Sequence, residues 1–272
     1  MSNEVFAFML TLLAGLATGI GAGAAFLIRT PTPRFLSPAL GFSAGVMLYV
    51  SFMEIMPNAV DILSRVSDNA EWLMAGGFFA GIAVIALIDW LVPDASNPHE
   101  FHDADDFLSQ PGDQTLVIKD GAQAKLMRMG LMTALALAIH NFPEGFATFM
   151  SGLYSPELAI PVAVAIAIHN IPEGIAVSVP IYYATGSRRR AFILSFASGL
   201  SEPVGALVGY IVLRQVMNDT IFGMTFAGIA GVMVYISLDE LLPSAEKFGQ
   251  HHHAIVGLIS GMAVMALSLL LL

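Results

Sequence analysis

The chain contains no cysteine, which excludes a disulfide framework, a thiolate nucleophile and any Cys-ligated metal site. A metal here has only His, Asn, Met and carboxylates to hold it. Charge is nearly as scarce: 12% of the 272 residues are charged and 56% are hydrophobic, with a mean hydropathy of +0.75. Soluble domains carry about 25% charged residues, so roughly half of the usual solvated surface is missing. The composition is that of a chain dissolved in lipid. Basic residues are the scarcer sign, 11 against 21 acids, and the net charge of -10 excludes nucleic-acid binding by phosphate neutralisation.

In place of charge there are long apolar runs, each near the ~20 residues a helix needs to cross a bilayer. They lie near 4–28, 35–60, 70–92, 126–151, 157–184, 190–213, 220–243 and 254–272. The sequence therefore predicts an all-α integral membrane protein, a single transmembrane domain over 1–272 with eight spans. The start, Met1-Ser2-Asn3-Glu4, is acidic and the first run is long, neither of which suits a signal peptide. Eight spans place both termini on one side. One set of loops carries Arg29, Arg34, Lys119, Lys125, Arg128, Arg188, Arg189, Arg190 and Lys247, whereas the other carries only Arg65 and Arg214. The positive-inside bias makes the first set cytoplasmic and both termini external, as expected of a multi-pass cell-membrane protein.

Residues 93–124 form the one long connection, with seven acids, two His and one Lys among Pro and Gly. That composition buries too little apolar area to offset chain entropy, so a mobile cytoplasmic loop is expected within the one domain.

Two internal repeats stand out. AGVMLYVSFMEIMP at 44–57 and AGVMVYISLDELLP at 230–243 agree at eight of fourteen positions, and AIHNFPEGFA at 138–147 differs from AIHNIPEGIA at 167–176 at two of ten. These fall on spans two and seven and on spans four and five. Each pair is separated by an odd number of crossings, so its members run in opposite directions. The pattern predicts inverted repeats, spans 1–3 and 6–8, around a central antiparallel pair, spans 4 and 5. Transporters of that build bind substrate near the midplane.

The ionisable residues inside the spans are few: Glu54, His140, Glu144, His169, Glu173, Glu202, Asp239 and Glu240. Each costs several kcal/mol at the centre of a bilayer unless paired, solvated or metal-bound. Any one of them could belong to a hydrogen-bonded network that holds helices together. As a set, with no intramembrane Lys or Arg to balance it, they call for a cation. His140 and Glu144 stand at i and i+4 on one helix face, with Asn141 about 100° round on its edge. His169, Asn170 and Glu173 repeat this on the partner. Pro143 and Pro172 each remove a helical N–H, which is expected to bend the helices and free carbonyls beside a polar cavity. Imidazole and carboxylate suit Zn²⁺ and other first-row divalents, while the amide and carboxylate oxygens suit harder or more hydrated ions. Glu202, followed by Pro203, would close the site from span six.

HNFPEG at 140–145 and HNIPEG at 169–174 resemble the paired signature of the ZIP (Zrt-/Irt-like) metal-transporter family. The eight spans, external termini and His-bearing loop between spans three and four match as well, and HNIPEGIAVSVPIYYATGSRRRAF is similar to a bacterial branch of it. The resemblance implies uptake of zinc and other divalent transition metals (Fe, Mn, Co, Cd) into the cytoplasm through a binuclear site. His140, Glu144, His169 and Glu173 would hold one ion. Asn141, Asn170 and Glu202, with Glu144 and Glu173 bridging, would hold the other. Some members carry Asp or Gln where His169 and Asn170 stand, so metal preference is not carried over. Met47 matches a span-two Met that joins the first ion in part of the family, although a Met packed in a core or against lipid is commoner. The metal is substrate, and no organic cofactor is expected.

Glu54 points toward the outer face and Asp239 and Glu240 toward the cytoplasm, so they could form an entrance and an exit relay. Capping of helix ends near headgroups is the other reading. His99 and His102 in the acidic loop, and His251, His252 and His253, could bind metal after release, or simply be solvated. The expected partners are divalent metal ions and membrane lipid, with no nucleic acid, and a homodimer is open as an assembly. A metal exporter would use the same site. An intramembrane zinc-dependent hydrolase would need a separate general base, often as HExxH, and no HExxH occurs.

Overall fold

The computed structural model describes residues 2–26, 33–91, 122–213, 216, 218–248 and 251–271. All secondary structure among them is helical. In chain order the helices are α1 (Asn3–Ala25), α2 (Pro33–Val50), α3 (Met56–Ser64), α4 (Ala70–Leu91), α5 (Ala122–Tyr154) and α6 (Pro156–Thr185). They are followed by α7 (Arg188–Gly199), α8 (Ser201–Leu213), α9 (Asp219–Ile236), α10 (Leu242–Phe248) and α11 (His251–Leu271). Seven stretches among the described residues are long and apolar enough to cross a membrane: Asn3–Gly23, Leu36–Ser64, Ala70–Trp90, Pro156–Thr185, Arg188–Val212, Asp219–Glu246 and His251–Leu271. The 33-residue α5 packs beside α6 and carries the first HNxPEG motif.

Short polar connections cap these helices. The Ser155 side chain accepts a hydrogen bond from Leu158 N–H with Pro156 in the first turn, so α5 and α6 form a hairpin joined by a single residue. α6 stops at Gly186, whose φ of 63° only glycine adopts without strain, and its N–H bonds Tyr182 O. Ser187 and Asn218 cap α7 and α9 in the same manner as Ser155.

Three of the long spans are interrupted. α2 passes into α3 through a π-helical turn at Ser51–Ile55, and α9 passes into α10 through another at Ser237–Leu241. The two turns occupy the same place in the repeated motif. Met56 N–H reaches back five residues to Ser51 O, and Leu242 N–H does the same to Ser237 O. Pro57 and Pro243 follow at once. Each lacks an N–H for the carbonyl four residues back and its ring crowds that turn, which is where a wider turn relieves the clash. In span six, α7 ends at Gly199 and α8 begins at Ser201, so the break falls at Leu200, three residues ahead of Pro203. Pro203 cannot donate to Gly199, so the ladder breaks on its N-terminal side. By contrast α5 and α6 run unbroken through Pro143 and Pro172.

Glycines let helix backbones touch. On α2, a side chain at Gly41 or Gly45 would strike the carbonyl of Ala254 or Leu258 of α11, and one at Gly257 or Gly261 would strike Pro38 or Phe42 in return. Small-residue contacts of this kind hold membrane helices together, since lipid is as apolar as the side chains it replaces. The outward faces of α4 and α11 are apolar and exposed, with Phe79, Val84, Val256 and Leu267 among them. Trp72 and Trp90, 81% and 80% exposed, mark the two ends of α4. They stand about 27 Å apart at 1.5 Å per residue, close to the thickness of a hydrocarbon core, as aromatic belts do.

Substituting Gly45 by Val forces a branched side chain into the Leu258 backbone, which has no rotamer with which to yield. The expected loss is about 1–3 kcal/mol, the usual cost of overpacking. It should appear as a lower Tm in detergent. Gly76→Ala on α4, where a Cβ meets nothing within 4 Å, should melt at or above the wild-type temperature. Equal Tm values for Gly45→Val and wild type would mean that this contact does not hold α2 to α11.

Candidate metal centre

The two HNxPEG motifs face each other across the α5–α6 hairpin. His140, Asn141, His169, Asn170, Glu173 and Glu202 have no solvent exposure, and Glu144 has 1%. His140 Nε2 lies 3.1 Å from Glu144 Oε1 and 3.4 Å from Glu173 Oε1. His169 Nε2 lies 3.2 Å from each oxygen of Glu144. One ligand atom from each of His140, His169 and Glu173 falls within 4.8 Å of the others, and the imidazole centroids are 6.4 Å apart. The i,i+4 stacking of His140 and Glu144 thus occurs as the spacing predicts.

Glu202 enters from α8 and meets the Asn170 amide, which also donates to Ala14 O at 2.9 Å. The Asn141 amide donates to Ser198 O at 3.5 Å. Among the described residues, many inward atoms of the cluster have no aligned hydrogen bond: both nitrogens of His140, Nδ1 of His169, Oε1 of Glu144, both oxygens of Glu173, Oε2 of Glu202 and the carbonyl oxygens of Asn141 and Asn170. A buried polar atom left unmade costs about 1–3 kcal/mol. Six of these atoms take part in no ion pair either, and all nine come from residue types that ligate divalent cations, so the cluster is suited to one.

The other candidates are placed as follows. Met47 is fully buried on α2, one turn beyond Ser43, whose hydroxyl donates to His169 O at 3.4 Å. Glu54, in the first π turn, is half-buried and accepts from Asn58 at 3.1 Å. In the second π turn Glu240 is buried while Asp239 is exposed, close to the Tyr235 hydroxyl that also donates to Asp89 of α4 at 3.4 Å. None of these three carboxylates is in the group of His140, His169 and Glu173 whose ligand atoms lie close together. His251, His252 and His253 are exposed at the start of α11, with His251 Nδ1 2.6 Å from Glu246. His99 and His102 lie outside the described residues, as does most of the 93–124 segment.

Sequence reasoning passed over the neutral residues that position the cluster. Ser43 and Ser198 are ordinary residues in small-residue helices, and nothing in their own spacing marks them. Thr18, fully buried on α1 with its hydroxyl unpartnered, could have been found by laying span one on span six in register.

These observations define a multi-pass helical membrane protein with a buried His, carboxylate and amide cluster fit for a divalent cation. Comparison with known proteins narrows the class. The profile of the family described as ZIP Zinc transporter matches residues 94–269. The chain is 56% identical over 274 residues to the zinc transporter ZupT of Streptococcus mutans, covering 100% of this chain and 99% of that one. It is 55% identical over 277 residues to ZupT of Clostridium perfringens (100% and 97% covered) and 57% identical over 276 residues to ZupT of Chlorobaculum parvum (100% and 99% covered). The chain belongs to the ZIP zinc transporter family, whose members are transporters and not enzymes.

The two asparagines differ in what they hold, and this generates a prediction for the metal-free protein. Asn170→Ala removes the partner of Glu202 and the donor to Ala14, leaving a buried carboxylate alone, at a cost of about 1–3 kcal/mol or more. Asn141→Ala removes one long bond and should cost less. Thermal unfolding in detergent with chelator checks the order, and a larger loss in Asn141→Ala would contradict it.

Proposed function

We propose that this protein carries zinc, and with it other divalent transition metals such as Fe, Mn, Co and Cd, into the cytoplasm through a two-ion site on α5, α6 and α8. The observation that carries this reading is the gathering of two imidazoles, three carboxyls and two amides, all buried, where α5, α6 and α8 meet in an apolar helical bundle. The similarity to transporters named for zinc points to the same substrate. His140, Glu144, His169 and Glu173 take one ion, with Met47 as a further ligand from α2. Asn141, Asn170 and Glu202 take the second, with Glu144 and Glu173 shared.

Counting α5, the spans number eight, with both termini outside and the 93–124 segment cytoplasmic, as the distribution of Lys and Arg favours. The first and last three spans are inverted repeats. Contacts matched residue for residue support this: Gly21 faces Ile171 O as Gly205 faces Phe142 O, and Gly174 faces Thr18 O as Gly145 faces Glu202 O. Glu54 receives the hydrated ion on the outer side, and Asp239 and Glu240 receive it on the inner side. His251, His252 and His253, with His99 and His102, collect it on release. Transport then consists of exchanging water for carboxylate, imidazole and amide at the centre and reversing the exchange on the other side. The ion must be bound well enough to enter and weakly enough to leave.

Metal flux into proteoliposomes tests the site. Loss of even an outer-shell partner costs about 10- to 100-fold in affinity or activity. Glu144→Ala and Glu173→Ala should therefore reduce zinc influx by at least about tenfold, and undiminished influx in both would refute the assignment. The relay is tested separately with Glu54→Ala and Glu240→Ala. Each should slow influx while leaving equilibrium zinc binding to the purified protein intact, and unchanged kinetics in both would remove the relay.

A further inference from the structure

The matched contacts single out one residue that no motif marks. α1 and α7–α8 meet through equivalent positions 184 residues apart: Gly15 faces Gly199 O, and Gly199 faces Gly15 O. The Asn170 amide bonds Ala14 O as the Asn141 amide bonds Ser198 O, and Ala14 and Ser198 are themselves such a pair. A Cβ at Gly174 would touch Thr18 O, just as one at Gly145 would touch Glu202 O. A Cβ at Gly199 would touch the Thr18 side chain, just as one at Gly15 would touch that of Glu202. Thr18 therefore occupies, in one half, the place that Glu202 occupies in the other.

From that place Glu202 extends to the Asn170 amide. Thr18 is two bonds shorter and ends at its hydroxyl. That hydroxyl is buried without a hydrogen-bond partner, and so is the carbonyl oxygen of Asn141, the counterpart of Asn170. The register that pairs Glu202 with Asn170 pairs Thr18 with Asn141, and the oxygens of both lack a hydrogen-bond partner. A lone polar atom with no exposure seeks a ligand or a water.

We propose that Thr18 is a specificity-determining residue of the metal centre: with Asn141 it forms a neutral oxygen subsite that holds a water carried by the transported cation, across the cluster from Glu202. The proposal rests on the site assignment made under Proposed function. A hydroxyl both donates and accepts, so it can bond an ion's water without displacing it. Cations that favour oxygen and keep their water, such as Mn²⁺, depend on such a group, whereas Zn²⁺ can rely on the imidazoles. A carboxylate at both places would hold two divalent cations with full charge compensation and release them slowly. The shorter, neutral Thr18 leaves one half of the site loose.

The test is uptake into proteoliposomes with zinc and manganese measured in parallel for the wild type, Thr18→Val, Thr18→Ser and, as the site control, Glu144→Ala. Thr18→Val keeps the shape and removes the hydroxyl. It should lower the manganese-to-zinc uptake ratio by about fivefold or more, while Thr18→Ser, which restores the hydroxyl, keeps the wild-type ratio. Thr18→Glu should bind zinc more tightly in a titration of the purified protein and turn over more slowly. An unchanged ratio in Thr18→Val overturns the proposal. So does an equal loss of both metals, which would mark Thr18 as a packing residue, and so does a wild type indifferent to manganese. Undiminished uptake in Glu144→Ala would instead strike at the site itself, so the two failures are distinguishable.

Discussion

Glu144, Glu173 and Glu202 are buried together, and none of the hydrogen bonds or ion pairs they make among the described residues comes from a Lys or Arg. The crowding of three buried acids with no Lys or Arg partner among the described residues is the constraint on which the rest of the structure depends. A carboxylate at the centre of a membrane helix costs about 2.5–3.5 kcal/mol on the mildest scale. Three in mutual range add repulsion to that cost. The two imidazoles approach the oxygens to 3.1–3.4 Å, which brings nitrogen and oxygen donors within reach of one another. A divalent cation would draw on these oxygens and imidazole nitrogens together, which is the ground for proposing the cluster as the place where the transported ion binds.

Such a cluster keeps its geometry only if the helices that carry it cannot drift. The last residue of each HNxPEG motif shows how this is done. Gly145 and Gly174 directly follow Glu144 and Glu173, and each lies against a neighbouring backbone carbonyl, that of Glu202 or Thr18. Any side chain there would push α8 or α1 away and open the site. The glycine of the motif therefore belongs to packing, on the same short stretch of helix as the His, Asn and Glu proposed as ligands. The cluster's position is set by backbone-to-backbone contact, which has no rotamers to vary.

The chemistry of the centre was legible in the sequence because it is local. His140 and Glu144 share a helix and a face, and four of the five residues recur at 169–173, so helical periodicity alone brings four candidate ligands to two faces. Glu202 needed only the rarity of intramembrane acids. The breaks in the helices were less legible. Pro57, Pro203 and Pro243 all announce disturbance, but whether a helix answers with a π turn, a break before the proline, or no interruption, as at Pro143 and Pro172, depends on the neighbours it packs against. Thr18 was not legible from its own chemistry, since a threonine in an apolar helix is unremarkable. Its meaning comes from register with Glu202, which is a long-range property of the fold.

The repeated elements share backbone devices more faithfully than side chains. Both copies of the span-two/seven motif place a π turn directly before a proline, so this irregularity is common to both halves. The side chains on it have diverged. Glu54 is half-buried and held by Asn58, its counterpart Glu240 is buried, and Met53 stands where the other copy has the exposed Asp239. Thr18 and Glu202 differ in the same sense. A perfectly symmetric duplication would offer an ion the same ligands from either side and give its path no direction. Placing a carboxylate in one copy and a neutral residue in the other makes the two sides chemically unlike while leaving the packing that aligns them intact. On the proposed inverted-repeat reading, polarity would be a property of a few substituted positions, written onto a backbone that repeats.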